Sequence, residues 1–301
     1  MILSDLSPES LRHRLAGEGL RLRIPPVTLC IRSSIAIVAE GLRRYYGTYE
    51  VLPESSFADF HIGLHPPAGL RRFLRPQVIF HFDAETPFKP LPLNQAYAFL
   101  EWGLNWCMAN RYHRYVVIHA AVLERQGLAV VLPAPPGSGK STLCAALMCH
   151  GWRLFSDELA LCAPGTPLLE PFPRPICLKN ESIEVVEHRF GVSTGQRIHD
   201  TRKGDIAYLP AAAASGDDTP ALPRWIVFPR YEAGSPLQIE PVTRPETVVR
   251  LAEQCFNYAP LGKDAFASIC AMVDRADCLS LRYSRFEDAL SWFDEQVERC
   301  A

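Results

Sequence analysis

The chain of 301 residues is 48% hydrophobic and 21% charged, ordinary for a globular protein and long enough for two domains or one large domain with an appendage. A formal net charge of −2 argues against a strongly basic nucleic-acid surface, and no apolar run approaches the ~20 residues that span a bilayer. The start MILSDLSPESLRHRLAGEG lacks the basic opening and apolar core of a leader, and ten cysteines without a C-x-x-C pair read as thiols of a reducing compartment; a cytoplasmic protein is expected.

Residues 1–112 read as an N-terminal α/β domain. VTLCIRS (27–33) and QVIFHF (77–82) have strand character, ADFHIGL (58–64) has it more weakly, and IAIVAEGLRRYYG (35–47) reads as a helix stopped by Gly47. NQAYAFLEWGLNWCMANRY (94–112) sets Tyr97, Leu100, Leu104, Cys107 and Met108 at helical spacing, which predicts a long helix leading into the next unit. Trp102 and Trp106 on it read as packing between the two units, with ligand stacking as the functional alternative.

The second unit, residues 113–301, holds PAPPGSGKSTLCAALMCHGWRLFSDE (133–158). GLAVVLP (127–133) reads as a strand and KSTLCAALMCH (140–150) as a helix, joined by APPGSG. A strand–loop–helix of this kind aims backbone N–H groups and a helix N-terminus at one point, which suits phosphate oxygens. Ala134, Pro135, Pro136, Gly137, Ser138, Gly139, Lys140, Ser141 and Thr142 are therefore the expected nucleotide site. Lys140 supplies a point charge for the β- and γ-phosphates, and the Ser141 hydroxyl a ligand for Mg²⁺. The full pattern asks for Gly where this chain has Ala134, so the first turn residue must adopt a conformation open to a side chain.

An acidic pair follows. The helix from Lys140 is about 16 Å long at ~1.5 Å per residue, and WRLFS climbs about 16 Å at ~3.3 Å per residue after the helix stop at Gly151. The matched lengths return Asp157 and Glu158 to the level of the loop, at the carboxyl edge of an expected parallel sheet. Adjacent carboxylates on a buried-looking strand need a compensating cation or ligand.

PAAAASGDDTPALP (210–223) reads as a flexible loop, either a lid or a surface insertion. Strands are expected at RWIVFP (224–229), PLQIEPV (236–242) and CLSLRY (278–283), and helices over 246–257 and 265–274. A last helix would open on a Ser284/Glu287 capping box. His150 and His188 have no evident partner.

The stretch IHAAVLERQGLAVVLPAPPGSGKSTLCAALMCHGWRLFSDE (118–158) resembles the catalytic core of HPr kinase/phosphorylase, with its His-bearing strand, phosphate loop and G-x-R-L-x-x-D-[DE] segment. EWGLNWC, FPRPICLKNESI, TRKGDIAYL, VFPRY and FNY are similar to the HPr-kinase-related group called HprK-related kinase A. The resemblance implies a P-loop core of the HPr-kinase/PEP-carboxykinase kind behind the N-terminal domain, with ATP and Mg²⁺ as cofactors. Asp157 would be the general base, His119 the active-site histidine, Lys140 the phosphate-loop lysine and Ser141 the Mg²⁺-binding serine. The family's downstream signature with its metal-binding Glu is not recognisable, since RPICLKNES stands in its place. Metal binding then falls to Ser141 and Glu158. Lys179, Arg202 and Lys203 are candidates for clamping transferred charge.

The expected activity is ATP-dependent transfer of the γ-phosphate to a hydroxyl acceptor, either a Ser of a peptide or protein or a small metabolite. HPr itself is not assumed, because its binding elements are not evident. The group's gene neighbourhoods point to a PqqD-like peptide-binding protein as partner; no nucleic-acid or membrane partner is expected, and a homo-oligomer is compatible with the sequence. The alternative is a catalytically silent nucleotide-binding regulatory module. A carboxykinase-like enzyme would need a metal-binding His and Lys set that the sequence does not offer.

Overall fold

The protein, analysed as a computed structural model, is a mixed α/β fold described over residues 1–69, 73–211 and 218–300. Its N-terminal part contains α1 (Pro8–Ala16), β1 (Leu20–Ile24), β2 (Val27–Ser33), α2 (Ala36–Tyr45), β3 (Phe60–His65), β4 (Gln77–Phe82), β5 (Leu91–Pro92) and α3 (Ala96–Arg111). The five strands form one sheet in chain order, with β2 and β3 parallel and the other pairs antiparallel. α1 and β1 carry little sequence signal. α1 turns only Leu11 and Leu15 into the core and starts on Ser7, whose hydroxyl accepts the Ser10 N–H with Pro8 at the first helical position.

Helix α3 lies against β4 where Gly103 leaves room for the Phe80 ring; a Cβ at Gly103 would fall inside that ring. Gly103→Ala should therefore destabilise the fold by about 1–3 kcal/mol through overpacking. Urea unfolding checks this, and an unchanged midpoint would contradict the packing.

The second part contributes β6 (Val116–Ile118), β7 (Ala120–Arg125), β8 (Leu128–Pro133), α4 (Lys140–Cys149), β9 (Arg153–Ser156), β10 (Ala160–Cys162), β11 (Leu169–Glu170), β12 (Ile176–Lys179), α5 (Glu181–Phe190), β13 (Ile198–Thr201) and β14 (Gly204–Leu209). It closes with β15 (Leu222–Tyr231), β16 (Gln238–Pro241), α6 (Arg244–Glu253), α7 (Tyr258–Leu261), α8 (Lys263–Arg275), β17 (Asp277–Tyr283) and α9 (Phe286–Glu298). The large sheet has the order β16-β17-β15-β8-β7-β9, flanked by two smaller sheets, β11-β10-β6 and β12-β14-β13.

The large sheet is mixed, not parallel as the sequence suggested. β17, β15 and β8 are parallel, but β7 stands antiparallel between β8 and β9. Two reversals leave β9 running the same way as β8, so both still end on one edge.

Other expectations shift more locally. α6 covers 244–253 because Thr243 caps it and Pro245 fits its first turn, and the separate α7 follows. α9 has no Ser284 capping box: its N-cap is Arg285, and the Ser284 hydroxyl donates to the Ser235 carbonyl at 2.7 Å. Residues 212–217 of the expected flexible loop lie outside the described residues, and its last two, Leu222 and Pro223, already belong to β15.

The hydrophobic core joins the two parts of the chain. Val117, Leu161, Phe172, Ile206 and Tyr208 belong to the same buried cluster as α2, α3 and the N-terminal sheet. All ten cysteines are free thiols. No helix among the described residues is long and apolar enough to cross a membrane.

Candidate functional site

The glycine-rich loop leaves β8 at Pro133 and enters α4 at Lys140. Gly137 and Gly139 both hold φ of 86°, a left-handed conformation natural only to glycine. A Cβ at Gly139 would also come within 2.9 Å of the Tyr231 Cβ, whereas Gly137 faces open space. Ala134 has no positive φ and is buried, so the missing glycine of the full pattern imposes no strain. The loop is pinned from β15, where the Tyr231 N–H donates to the Ser138 carbonyl at 2.9 Å. Ser141 and Thr142 occupy the first turn of α4, partly buried.

The expected meeting of loop and acidic pair is present. Lys140 is buried, and its Nζ donates to the backbone carbonyl of Asp157 at 2.6 Å. Asp157 and Glu158 sit in a bend after β9, not on the strand itself, and the Ser156 hydroxyl holds the turn by accepting the Leu159 N–H at 3.0 Å.

Pairing explains why His119 is opposite. Val122 of β7 pairs with Ser156 of β9, and Ile118 of β6 pairs with Ala160 of β10. Both strands of this ribbon cross from one sheet to another at the same level, which sets His119 across from residues 157–159. The His119 N–H donates to the Gln254 carbonyl at 2.8 Å, and its ring meets Phe256 edge-on at 5.7 Å. Burial, reinforced by Lys140 and opposed by Glu158, lowers the His119 imidazole to about 4. It is neutral at pH 7.

The two carboxylates differ. Asp157 is 5% exposed, and neither carboxylate oxygen meets hydrogen-bond geometry with any described group. Burial pushes its carboxyl upward, while Lys140 and the nearby Ser141 hydroxyl pull the other way. For Glu158 burial also opposes ionisation, but Lys203, Lys140, Arg174 and Lys179 outweigh it and bring the carboxyl down to about 2. One face of this pair is thus an unpartnered buried acid, and the other a fixed anion among cations. Lys179 ends β12 and Lys203 lies in the β13–β14 turn, so the small sheet delivers both cations.

A buried network that the sequence reading missed reaches Glu158 through Asn105. The Asn105 side-chain amide on α3 donates to Glu158, and its carbonyl accepts from Arg174. Arg174 also donates to Glu101 Oε2 at 3.1 Å. Tyr46 and Tyr97 each donate to Glu101 Oε1 at 2.8 Å. Burial raises the Glu101 carboxyl, with Arg174 and the two tyrosines opposing it. The available signal was Glu101 and Asn105, one helical turn apart in a helix otherwise apolar from Ala96 to Ala109.

Arg174→Met would strand the Glu101 charge in the core. It should cost about 3–5 kcal/mol, the usual penalty for breaking a buried pair by removing one partner. Urea unfolding measures the loss, and a change below about 1 kcal/mol would contradict a buried ionised pair.

A cleft of about 840 Å³ opens beside the loop, lined by Pro135, Gly137, Ser138, Tyr231, Arg250 and Gln254 among others. Its size is within the roughly 300–1,000 Å³ range of small-molecule sites. Gln254 also carries the carbonyl that fixes His119. A second, very small cavity touches Asp157, Glu158, Trp102 and Asn105.

A divalent cation fits this donor set: the unpartnered Asp157 oxygens offer hard ligands beside Ser141, and Mg²⁺ commonly needs only one or two protein ligands with phosphates and water completing its shell. Glu158 is tied to Asn105 and, at 3.9 Å, to Lys203. No group of three His, Cys, Asp or Glu side chains among the described residues forms a metal site by itself. Compared with known proteins, the chain matches no protein-family model and no curated protein.

Proposed function

We propose that the protein is an ATP-dependent phosphotransferase acting on a hydroxyl acceptor, with a P-loop core of the HPr-kinase-like kind. One observation carries the reading: a glycine-rich loop delivers a buried lysine onto the backbone of Asp157, whose own carboxylate is buried without a partner. Nucleotide would bind along residues 134–142 with its base and ribose in the 840 Å³ cleft. Lys140, Lys179 and Lys203 outnumber Asp157 and Glu158 beside them, while Arg174 is paired with Glu101, and the imbalance suits transferred phosphate.

Asp157 takes the acceptor's hydroxyl proton as its oxygen bonds to the γ-phosphorus; the bond to the β,γ-bridging oxygen breaks, and ADP leaves with that oxygen. His119, neutral at pH 7, offers a hydrogen bond to the phosphoryl oxygens without adding a charge. Mg²⁺, held through Ser141 and Asp157 or Glu158, would supply charge neutralisation at the phosphates. The acceptor is a Ser of a peptide or protein, such as one presented by a PqqD-like partner, or a small hydroxyl metabolite.

The test is ADP formation from Mg·ATP with water as a slow acceptor. Turnover that requires Mg²⁺ is expected. The second reading, a nucleotide-binding regulatory module, draws on the engagement of Glu158 by Asn105 and Lys203. Nucleotide binding with no turnover above buffer, in any acceptor mixture, would favour it.

A further inference from the structure

A separate cleft of about 540 Å³ lies between α3 and the β13–β14 turn. One wall is aromatic: Phe88, Phe99, Trp102 and Trp106 line it, with Phe88 edge-on to Trp106 at 5.5 Å. Its rim carries Lys89, Arg202 and Lys203, and no acidic side chain among the described residues lines it.

The three cations are not equivalent. Lys203 is engaged, with its Nζ 5.5 Å above the Trp102 ring and 3.9 Å from Glu158. Among the described residues, neither Lys89 nor Arg202 makes an ion pair or a side-chain hydrogen bond, so two cations face the cleft without a counter-charge. The cleft also reaches the chemistry. Trp102 and Asn105 line both it and the small cavity at Asp157, and Asn105 bonds Glu158. The buried Trp102 indole N–H has no partner among the described residues.

We infer that this cleft is the acceptor site, and that the acceptor is a hydroxyl compound carrying an aromatic ring and a carboxylate. The inference rests on the phosphotransferase reading. The ring packs on the aromatic wall, the carboxylate is met by Lys89 and Arg202, and the hydroxyl is directed past Asn105 towards Asp157. Complementarity of shape and charge selects this class. A neutral aromatic leaves two cations unanswered, and a small acid without apolar surface leaves the wall unfilled. The same chemistry has two sources: a free aromatic hydroxy acid, or the C-terminal Ser-Phe of a peptide.

Calorimetric titration without nucleotide separates these sources and tests the class. The probes are 3-phenyllactate, its methyl ester, lactate, and acetyl-Ser-Phe with a free or an amidated C-terminus. Binding of 3-phenyllactate or the free-acid dipeptide should be at least tenfold tighter than that of its neutral counterpart and of lactate, and the tighter of the two names the source. Lys89→Glu combined with Arg202→Glu, both on exposed side chains, should weaken that binding by at least tenfold, and Lys89→Glu alone should leave affinity for a non-hydrolysable ATP analogue unchanged. Equal affinity for acid and neutral forms, or an unchanged affinity in the double variant, would overturn the inference. Loss of the kinase reading shows differently: the wild-type protein would fail to bind the ATP analogue while still binding the aromatic acid.

Discussion

Asp157→Asn is expected to cut phosphoryl transfer by roughly 10²–10⁴-fold, the usual span for a lost general base, and to leave nucleotide affinity nearly intact. The amide keeps the carboxylate's shape and cannot take the proton. The same change should stabilise the free protein. Burial raises the folded-state pKa of Asp157 above its ordinary value of 3.8, so ionisation costs stability. That cost is absent below the unfolded-state value, grows as pH rises through the folded-state value, and is fully present above it. The Asn variant should therefore have the higher Tm near neutral pH and a vanishing advantage towards pH 3. Steady-state kinetics and thermal melts over that range check both halves. Equal losses of binding and turnover would leave Asp157 a place at the metal or in the structure and remove it as the base.

Lys140→Ala should abolish transfer and weaken ATP binding by at least tenfold, because the β,γ-phosphate charge loses its fixed partner. The carbonyl of Asp157 would also lose the Lys140 Nζ, which donates to it at 2.6 Å. Circular dichroism establishes that the variant folds, and titration with a non-hydrolysable ATP analogue gives the affinity. A folded variant with wild-type turnover would remove the loop from the active site.

The parts of the site written in one contiguous stretch were legible in the sequence alone. Strand, glycine turn, Lys140–Ser141 and helix occupy residues 128–149 in that order, so local propensity and spacing suffice. The level of Asp157 followed from matched lengths, and the Lys140 contact bears that placement out. Pairing was not legible. That β7 separates β8 from β9 depends on contacts no local pattern encodes, and the ribbon that brings His119 opposite the acidic bend depends on the same pairing.

Long-range polar partners were equally hidden. Arg174 is 73 residues from Glu101, and each looks like an ordinary charge until the fold buries both. His150 gained a partner in Asp294 at 2.7 Å, 144 residues away. The Ser284/Glu287 pattern failed for the opposite reason: the local motif was present, but the Ser235 carbonyl competed for the hydroxyl.

The central claim is that Mg·ATP lies on residues 134–142 with its γ-phosphate facing Asp157. Amide chemical-shift mapping on the isotope-labelled protein, titrated with Mg²⁺ and a non-hydrolysable ATP analogue, tests it most directly. The account predicts that the largest shifts fall on Gly137, Ser138, Gly139 and Ser141, with a further shift at Asp157 that depends on the γ-phosphate and is weak or absent with ADP. Shifts centred away from this loop, or no saturable shift at all, would contradict it.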